Sequence, residues 1–130
     1  MSDVLLTYGW VRSSYSALRN LHKHGIKVDI ADNSYIGMCQ FSRYSNGFNK
    51  YVSHYVNEES FISDIEKICK RKSIKFIFPS HNETEIIARH KHRFSNELVS
   101  MIPDESHCRM FNNKSLAYEY VKELNISVPE

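Results

Sequence analysis

The sequence predicts an α/β domain in three layers, a parallel sheet flanked by helices. Short apolar runs of strand length alternate with amphipathic helical stretches along the whole chain. The runs are continuous rather than alternating in polarity, as in strands covered on both faces. The first strand, helix and second strand are complete within about 30 residues, the length of one βαβ unit.

Val4 to Tyr8 is an apolar run ending at Gly9, the first strand. Ser13 or Ser14 stands where a helix needs an N-cap, and Tyr15, Leu18 and Leu21 recur at helical spacing behind it. Gly25 occupies the position where a helix end favours a left-handed residue. Lys27 to Asp32 reads as the second strand. From Asn33 to Asn57 the pattern loosens into a short helix around Cys39 to Arg43 and an aromatic strand from Phe48 to Val52. Glu58 to Lys72 is an amphipathic helix with Phe61, Ile62, Ile65, Ile68 and Cys69 on one face. Lys75 to Pro79 is the next buried strand, followed by a helix from about Asn82 to Arg93. Glu97 to Ile102 predicts a further strand, Asp104 a cap for a short helix to Phe111, and Lys114 to Leu124 a last helix with Leu116, Ala117, Tyr120, Val121 and Leu124 on one side.

The 130 residues suit one domain, with residues 1–112 as core and 113–130 as a helix and a lead-out segment. With 42% hydrophobic and 25% charged residues the chain is globular rather than disordered. Its 17 basic and 15 acidic residues are well mixed at a net charge of +2, which argues against a nucleic-acid partner. Neither a membrane span nor a signal peptide is legible, so no membrane is expected. Three scattered cysteines without a CxxC fit reduced thiols of a cytoplasmic protein.

Ligands of open parallel sheets bind beyond the carboxyl ends of the strands. Three segments lie there: Thr7 to Ser14, Asp32 to Tyr35, and Pro79 to Glu85. The first leads into a helix N-terminus, whose free amides favour anions, and Arg12 would reinforce this. Its single glycine, Gly9, and the bulk of Trp10 and Arg12 nevertheless favour a plain tight turn over a dinucleotide cradle. Asp32 holds the place of a ribose-binding acid, but without the glycine fingerprint it reads as a cap or turn residue. In the third segment Ser80 or Asn82 can cap a helix, and Glu83 and Glu85 suit the positive end of its dipole. The same position suits Ser80, His81 and Glu83 for hydrogen bonds to a polar ligand. The pairs His22/His24 and His90/His92 point about 200° apart on a helix and cannot share a metal. Cys69 belongs to a core face, and neither Cys39 nor Cys108 has a base nearby in sequence.

Four stretches, in order, resemble the Rossmann-like preATP-grasp domain of ATP-grasp enzymes, especially the carbamoyl phosphate synthase-like carboxylate–amine ligases. Val4 to Thr7 with Arg12 and Leu21-His22-Lys23-His24-Gly25-Ile26-Lys27-Val28 is similar to the family's opening strand and helix. Ser42-Arg43-Tyr44 is like its "SRY". Ile74 to Ser80 with Glu83 is like its strand, proline and glutamate. Asn113-Lys114 with Leu124 to Glu130 is like "DK…GIPVPE". Asn113 stands for the usual aspartate and Asn125 for the usual glycine.

The resemblance implies ATP-dependent ligation through an acyl phosphate, with ATP and magnesium held mainly by later domains absent from this chain. It implies a substrate side formed by Gly9, Arg12, Ser80, His81 and Glu83, with Glu83 toward a carboxylate or amine acceptor and Lys114 toward the nucleotide phosphates. Arg43 is expected to hold its loop by a salt bridge. Such a domain is expected to partner the C-terminal ATP-grasp domains and to catalyse nothing alone. The alternative is a stand-alone Rossmann-like module that binds or senses a small ligand; a nicotinamide-dependent fragment is disfavoured by the lone glycine. Eight tyrosines and seven phenylalanines also allow an interface role, a homodimer included.

Overall fold

The computed structural model describes residues 1–127. Val128, Pro129 and Glu130, the end of the last motif, lie outside the described residues. The strands are β1 (Val4–Thr7), β2 (Val28–Asp32), β3 (Gly47–Lys50) and β4 (Phe76–Phe78). They form one parallel sheet in the order β3-β2-β1-β4. The helices are α1 (Arg12–Lys23), α2 (Glu58–Lys72), α3 (Glu83–Arg89), α4 (Glu105–Asn112) and α5 (Lys114–Glu123), with a 3-10 turn at Lys91–Arg93 after α3.

Side chains alternate across each strand, so the sheet buries two separate clusters. Val4, Leu6, Val28 and Ile30 meet Leu18 of α1 on one face. Leu5, Ala31 and Ile77 meet Phe61, Ile62, Ile65 and Ile68 of α2, with Ile87, Val99, Ile102 and Cys108 closing the other face. Each fully buried Leu, Ile or Phe contributes about 1.5–3 kcal/mol relative to exposure, so the two faces together hold the three layers.

The Glu58–Lys72 helix has the bounds its periodicity predicts. Asn57 caps it by accepting the Ser60 N–H at 2.7 Å, and Ser73 ends it in the left-handed region at φ 53°. Gly25 is left-handed, at φ 77°, as its position after α1 requires.

Several expectations are corrected. The stretch Cys39–Arg43 is not helical; the Ser42 N–H donates to the Cys39 carbonyl and the Ser45 N–H to the Ser42 carbonyl, two successive turns with no continuing ladder. Glu97–Ile102 is not a strand. Its turns instead bury Val99 and Ile102, and it lends the sheet one bond, from the Ile77 N–H to the Leu98 carbonyl at 2.9 Å. That leaves β4 as an edge strand covered on one face only: Phe76 and Phe78, in register with Val4 and Leu6 beyond the reach of α1, are each 38% exposed. The helix expected from Asn82 to Arg93 breaks at His90 into the 3-10 turn.

Cap assignments also change. Neither Ser13 nor Ser14 caps α1, which opens from Val11; the Ser14 hydroxyl donates to the Tyr8 carbonyl instead, at 2.8 Å. Asp104 makes no cap bond and accepts from Lys91 at 3.0 Å.

One core feature had no sequence signal. Asp29 lies fully buried on the α2 face of β2, where an unpartnered carboxylate would be costly. It accepts from Ser2 at 2.5 Å, Asn49 at 2.8 Å and Asn46 at 3.2 Å, with Lys72 Nζ at 3.4 Å. Burial alone would push its carboxyl up; these bonds and the Lys72 charge more than offset that and hold it below the usual carboxylate range. The network ties the N-terminus, β2, β3 and α2 together at the amino ends of the strands.

Candidate functional site

With β1 central, the chain builds outward through β2 to β3 and then returns to place β4 on the other side. The strand order therefore reverses between β1 and β4. In open α/β sheets the ligand crevice lies at such a reversal, outside the carboxyl ends of the strands. Two loops leave the sheet there, Tyr8-Gly9 after β1 and Pro79-Ser80-His81 after β4.

Both loops bend through unusual backbone. Tyr8 has φ 54° and His81 φ 58°, a left-handed geometry that non-glycine residues rarely adopt and that clusters at functional sites. Their rings stack across the reversal, with centroids 5.2 Å apart and planes at 28°. The Ser80 N–H points to the Thr7 hydroxyl at 3.4 Å, a long bond that joins the two loops.

Gly9 has a steric reason. A Cβ there would sit 2.6 Å from Ile30 Cγ2 and 3.2 Å from Cys39 Cβ, so only glycine lets the loop lie down on β2. The plain tight turn is what the first loop forms, and its glycine is packed rather than open to a phosphate.

Beneath this rim lies a buried polar cluster. Glu83, Tyr51 and Asp32 are each 2% exposed, and Thr7 is fully buried. The Tyr51 hydroxyl donates to Glu83 Oε1. Asp32 Oδ1 accepts the Ser34 N–H at 3.0 Å, the turn role expected of it. Asp32 Oδ2, Glu83 Oε2 and His54 Nδ1 are buried without a protein partner among the described residues. Phe61 links them sideways, edge-on to Tyr51 at 5.0 Å and to His54 at 5.7 Å.

Burial pushes the Glu83 carboxyl up to about 7, with the neighbouring Thr7 and Tyr51 hydroxyls opposing the rise and the Asp32 charge adding to it. Burial likewise raises Tyr51, reinforced by Glu83, and lowers His54. A carboxyl poised near neutrality can accept a hydrogen bond when ionised and donate one when protonated, and an orphan oxygen leaves that capacity free. The three thiols have no such poise: burial pushes Cys39 to about 11 and Cys69 to about 12, and raises Cys108 as well.

The structure thus gathers Gly9, Ser80, His81 and Glu83 at one rim. Arg12 stands exposed at the start of α1, just beyond the first loop. Lys114 is exposed at the start of α5, where Asn113 caps the helix by accepting from Ser115 and Leu116. Tyr51 carries no sequence signal for this site because it follows a weakly patterned strand and meets Glu83 only through folding; His54 joins through Phe61. Asp32 takes the turn role its position predicts, while its second oxygen is buried without a partner among the described residues and has no local sequence signal. Among the described residues no group of three or more His, Cys, Asp or Glu side chains is placed to hold a metal ion, and no helix is long and apolar enough to cross a membrane.

No family model and no curated protein matches the sequence. Among solved structures, the biotin carboxylase domain of a single-chain bacterial carboxylase is similar over 99% of this chain, with TM-score 0.63 at 15% sequence identity. The chain spans 30% of the length of that structure. At this identity the likeness is one of fold, a Rossmann-like α/β arrangement of the kind found in a domain that forms part of a larger enzyme.

Proposed function

We propose that the chain is the substrate-side, preATP-grasp-like domain of an ATP-dependent ligase, and that the rim between β1 and β4 is its wall toward the acceptor substrate. The observation that carries this reading is Glu83. A side chain buried to 2%, with one oxygen bonded by Tyr51 and the other without a partner, sits where two strained loops reverse the sheet order. A purely structural carboxylate tends to have all its acceptor capacity used, as Asp29 does in the same domain. The fold likeness to a biotin carboxylase domain, and the motif order that resembles carboxylate–amine ligases, support the assignment.

In this reading Glu83 and Asp32 present oxygens to a donor on the acceptor, an amine or amide N–H. Ser80 and the stacked Tyr8–His81 pair shape the mouth above them. ATP and magnesium belong to other domains: Gly9 is packed against β2 and offers no triphosphate cradle, and Lys114 would add a single charge from α5. The chain by itself then performs no ligation.

The test is a pair of titrations. With magnesium present, ATP at millimolar concentration should leave the amides of Thr7–Gly9, Ser80–Glu83 and Lys114 unshifted; nucleotide bound at these residues would overturn the division of labour. Amide shift mapping against a panel of small amines and carboxylates should place the perturbed residues at Thr7–Gly9 and Ser80–Glu83. Perturbations confined to other surfaces would remove the rim from consideration.

A further inference from the structure

A second site stands on the α1 face, away from the strand ends. Before Glu58 the only acids are Asp3, Asp29 and Asp32. Asp29 and Asp32 are buried and Asp3 is paired with Lys75 at 2.7 Å. Helix α1 and the turns from 38 to 46 that lie beside it therefore present basic and neutral side chains only.

On that surface a hollow of about 540 Å³ is lined by Arg19, His22, Lys23 and Tyr44 with Ser16 and Asn20. It adjoins a second hollow of about 350 Å³ that shares His22 and Tyr44 and reaches Arg43. The Arg43 guanidinium lies over the Tyr44 ring, 5.2 Å from its centroid, and donates to the Tyr44 hydroxyl at 3.2 Å. Arg19 lines the same hollow from α1, its guanidinium 6.0 Å from the Tyr15 ring centroid, and His22 packs against the Tyr44 ring at 5.1 Å. Arg43, expected to hold its loop by a salt bridge, has no carboxylate within salt-bridge distance among the described residues. Nor do Arg19 and Lys23.

We infer that this hollow binds a small molecule bearing two or more phosphate groups. Arg19 and Arg43 flank the two joined hollows with no carboxylate to neutralise either, and an anion seated between them supplies that missing charge. Guanidinium forks match phosphate oxygens bidentately, and Lys23 supplies a further point charge. Ser16, Asn20 and Tyr44 offer neutral donors around the same space. A nucleic acid is disfavoured by the net charge of only +2 and by the shortness of the basic surface.

The site is independent of the rim, so its test reads different residues. The intact chain is titrated with tripolyphosphate by calorimetry at low salt, beside orthophosphate, citrate and a 20-nucleotide single-stranded RNA. One saturable tripolyphosphate site is expected, tighter than orthophosphate or citrate. Arg19→Ala and Arg43→Ala should each weaken it by about tenfold, the loss of one charge-assisted contact. Lys67→Ala, an exposed cation on α2, should leave it unchanged. Absence of saturation, equal loss with Lys67→Ala, tighter citrate, or RNA bound in preference to tripolyphosphate would each overturn the inference. Glu83→Gln separates the two sites: it should leave tripolyphosphate binding intact whether or not the rim takes an acceptor.

Discussion

Glu83 is the residue on which most of the chemistry turns, and its ionisation is visible in stability. Its carboxyl has an ordinary value of 4.5 and is raised by burial to about 7 in the folded chain. Below pH 4.5 the group is protonated in both states and its contribution is complete. As pH rises from there, the unfolded chain releases the proton while the folded chain keeps it, so stability falls until about pH 7 and then levels. At about 1.4 kcal/mol per pH unit the loss is on the order of 3 kcal/mol. His54, lowered by burial, works in the opposite direction, losing its contribution as pH falls through 6.5. Urea midpoints of the wild type minus those of Glu83→Gln cancel that term. The difference should slope downward between pH 4.5 and 7; parallel curves would mean that Glu83 ionises freely in the folded state. The sequence marked this glutamate through its place after a strand and proline, along with its neighbours Ser80 and His81. It held no sign of Tyr51 or His54, because Tyr51 reaches Glu83, and both rings meet Phe61 of α2, through tertiary packing rather than through spacing along the chain.

At the scale of elements, what was legible followed from periodicity, and what was not followed from tertiary competition. The helix from Glu58 to Lys72 is long, amphipathic and capped, so local and global preferences agree. The run from Glu97 to Ile102 has the composition of a strand but folds as turns, because its apolar side chains are drawn into the α2–α3 core and one carbonyl suffices to cap the edge of β4. Strand propensity yields to burial there. The cap of α2 offers a direct test of local strain. Ser73 is held left-handed at φ 53°, a region that costs a residue with a Cβ about 1 kcal/mol or more. Ser73→Gly should therefore stabilise the domain, by up to about 1 kcal/mol after the greater flexibility of unfolded glycine is counted. Thermal unfolding of the two chains measures it, and a lower melting temperature for the variant would show that the Ser73 side chain is worth more than the strain it causes.

At the scale of the molecule, the two cores are assembled from residues between Val4 and Cys108, and α5 adds nothing to either. No residue of α5 is buried; Leu116, Leu124 and Ile126 are more than half exposed, and Tyr118 and Tyr120 are 40% exposed. An amphipathic helix in a globular domain normally buries its apolar stripe, and α5 packs chiefly against α4. Its own stability then comes from the Asn113 cap and helix propensity, which leave ten residues marginal in water. A chain ending at Asn112 should keep the same cooperative unfolding, with a loss below about 1 kcal/mol, since little apolar area leaves the core. It should also stay monomeric at concentrations where the full chain, with its apolar helix in solvent, begins to associate. Urea unfolding together with sedimentation of both lengths decides this. A large loss of stability on truncation would mean that α5 is part of the folding unit, and equal self-association would mean that its exposed stripe is not the adhesive surface.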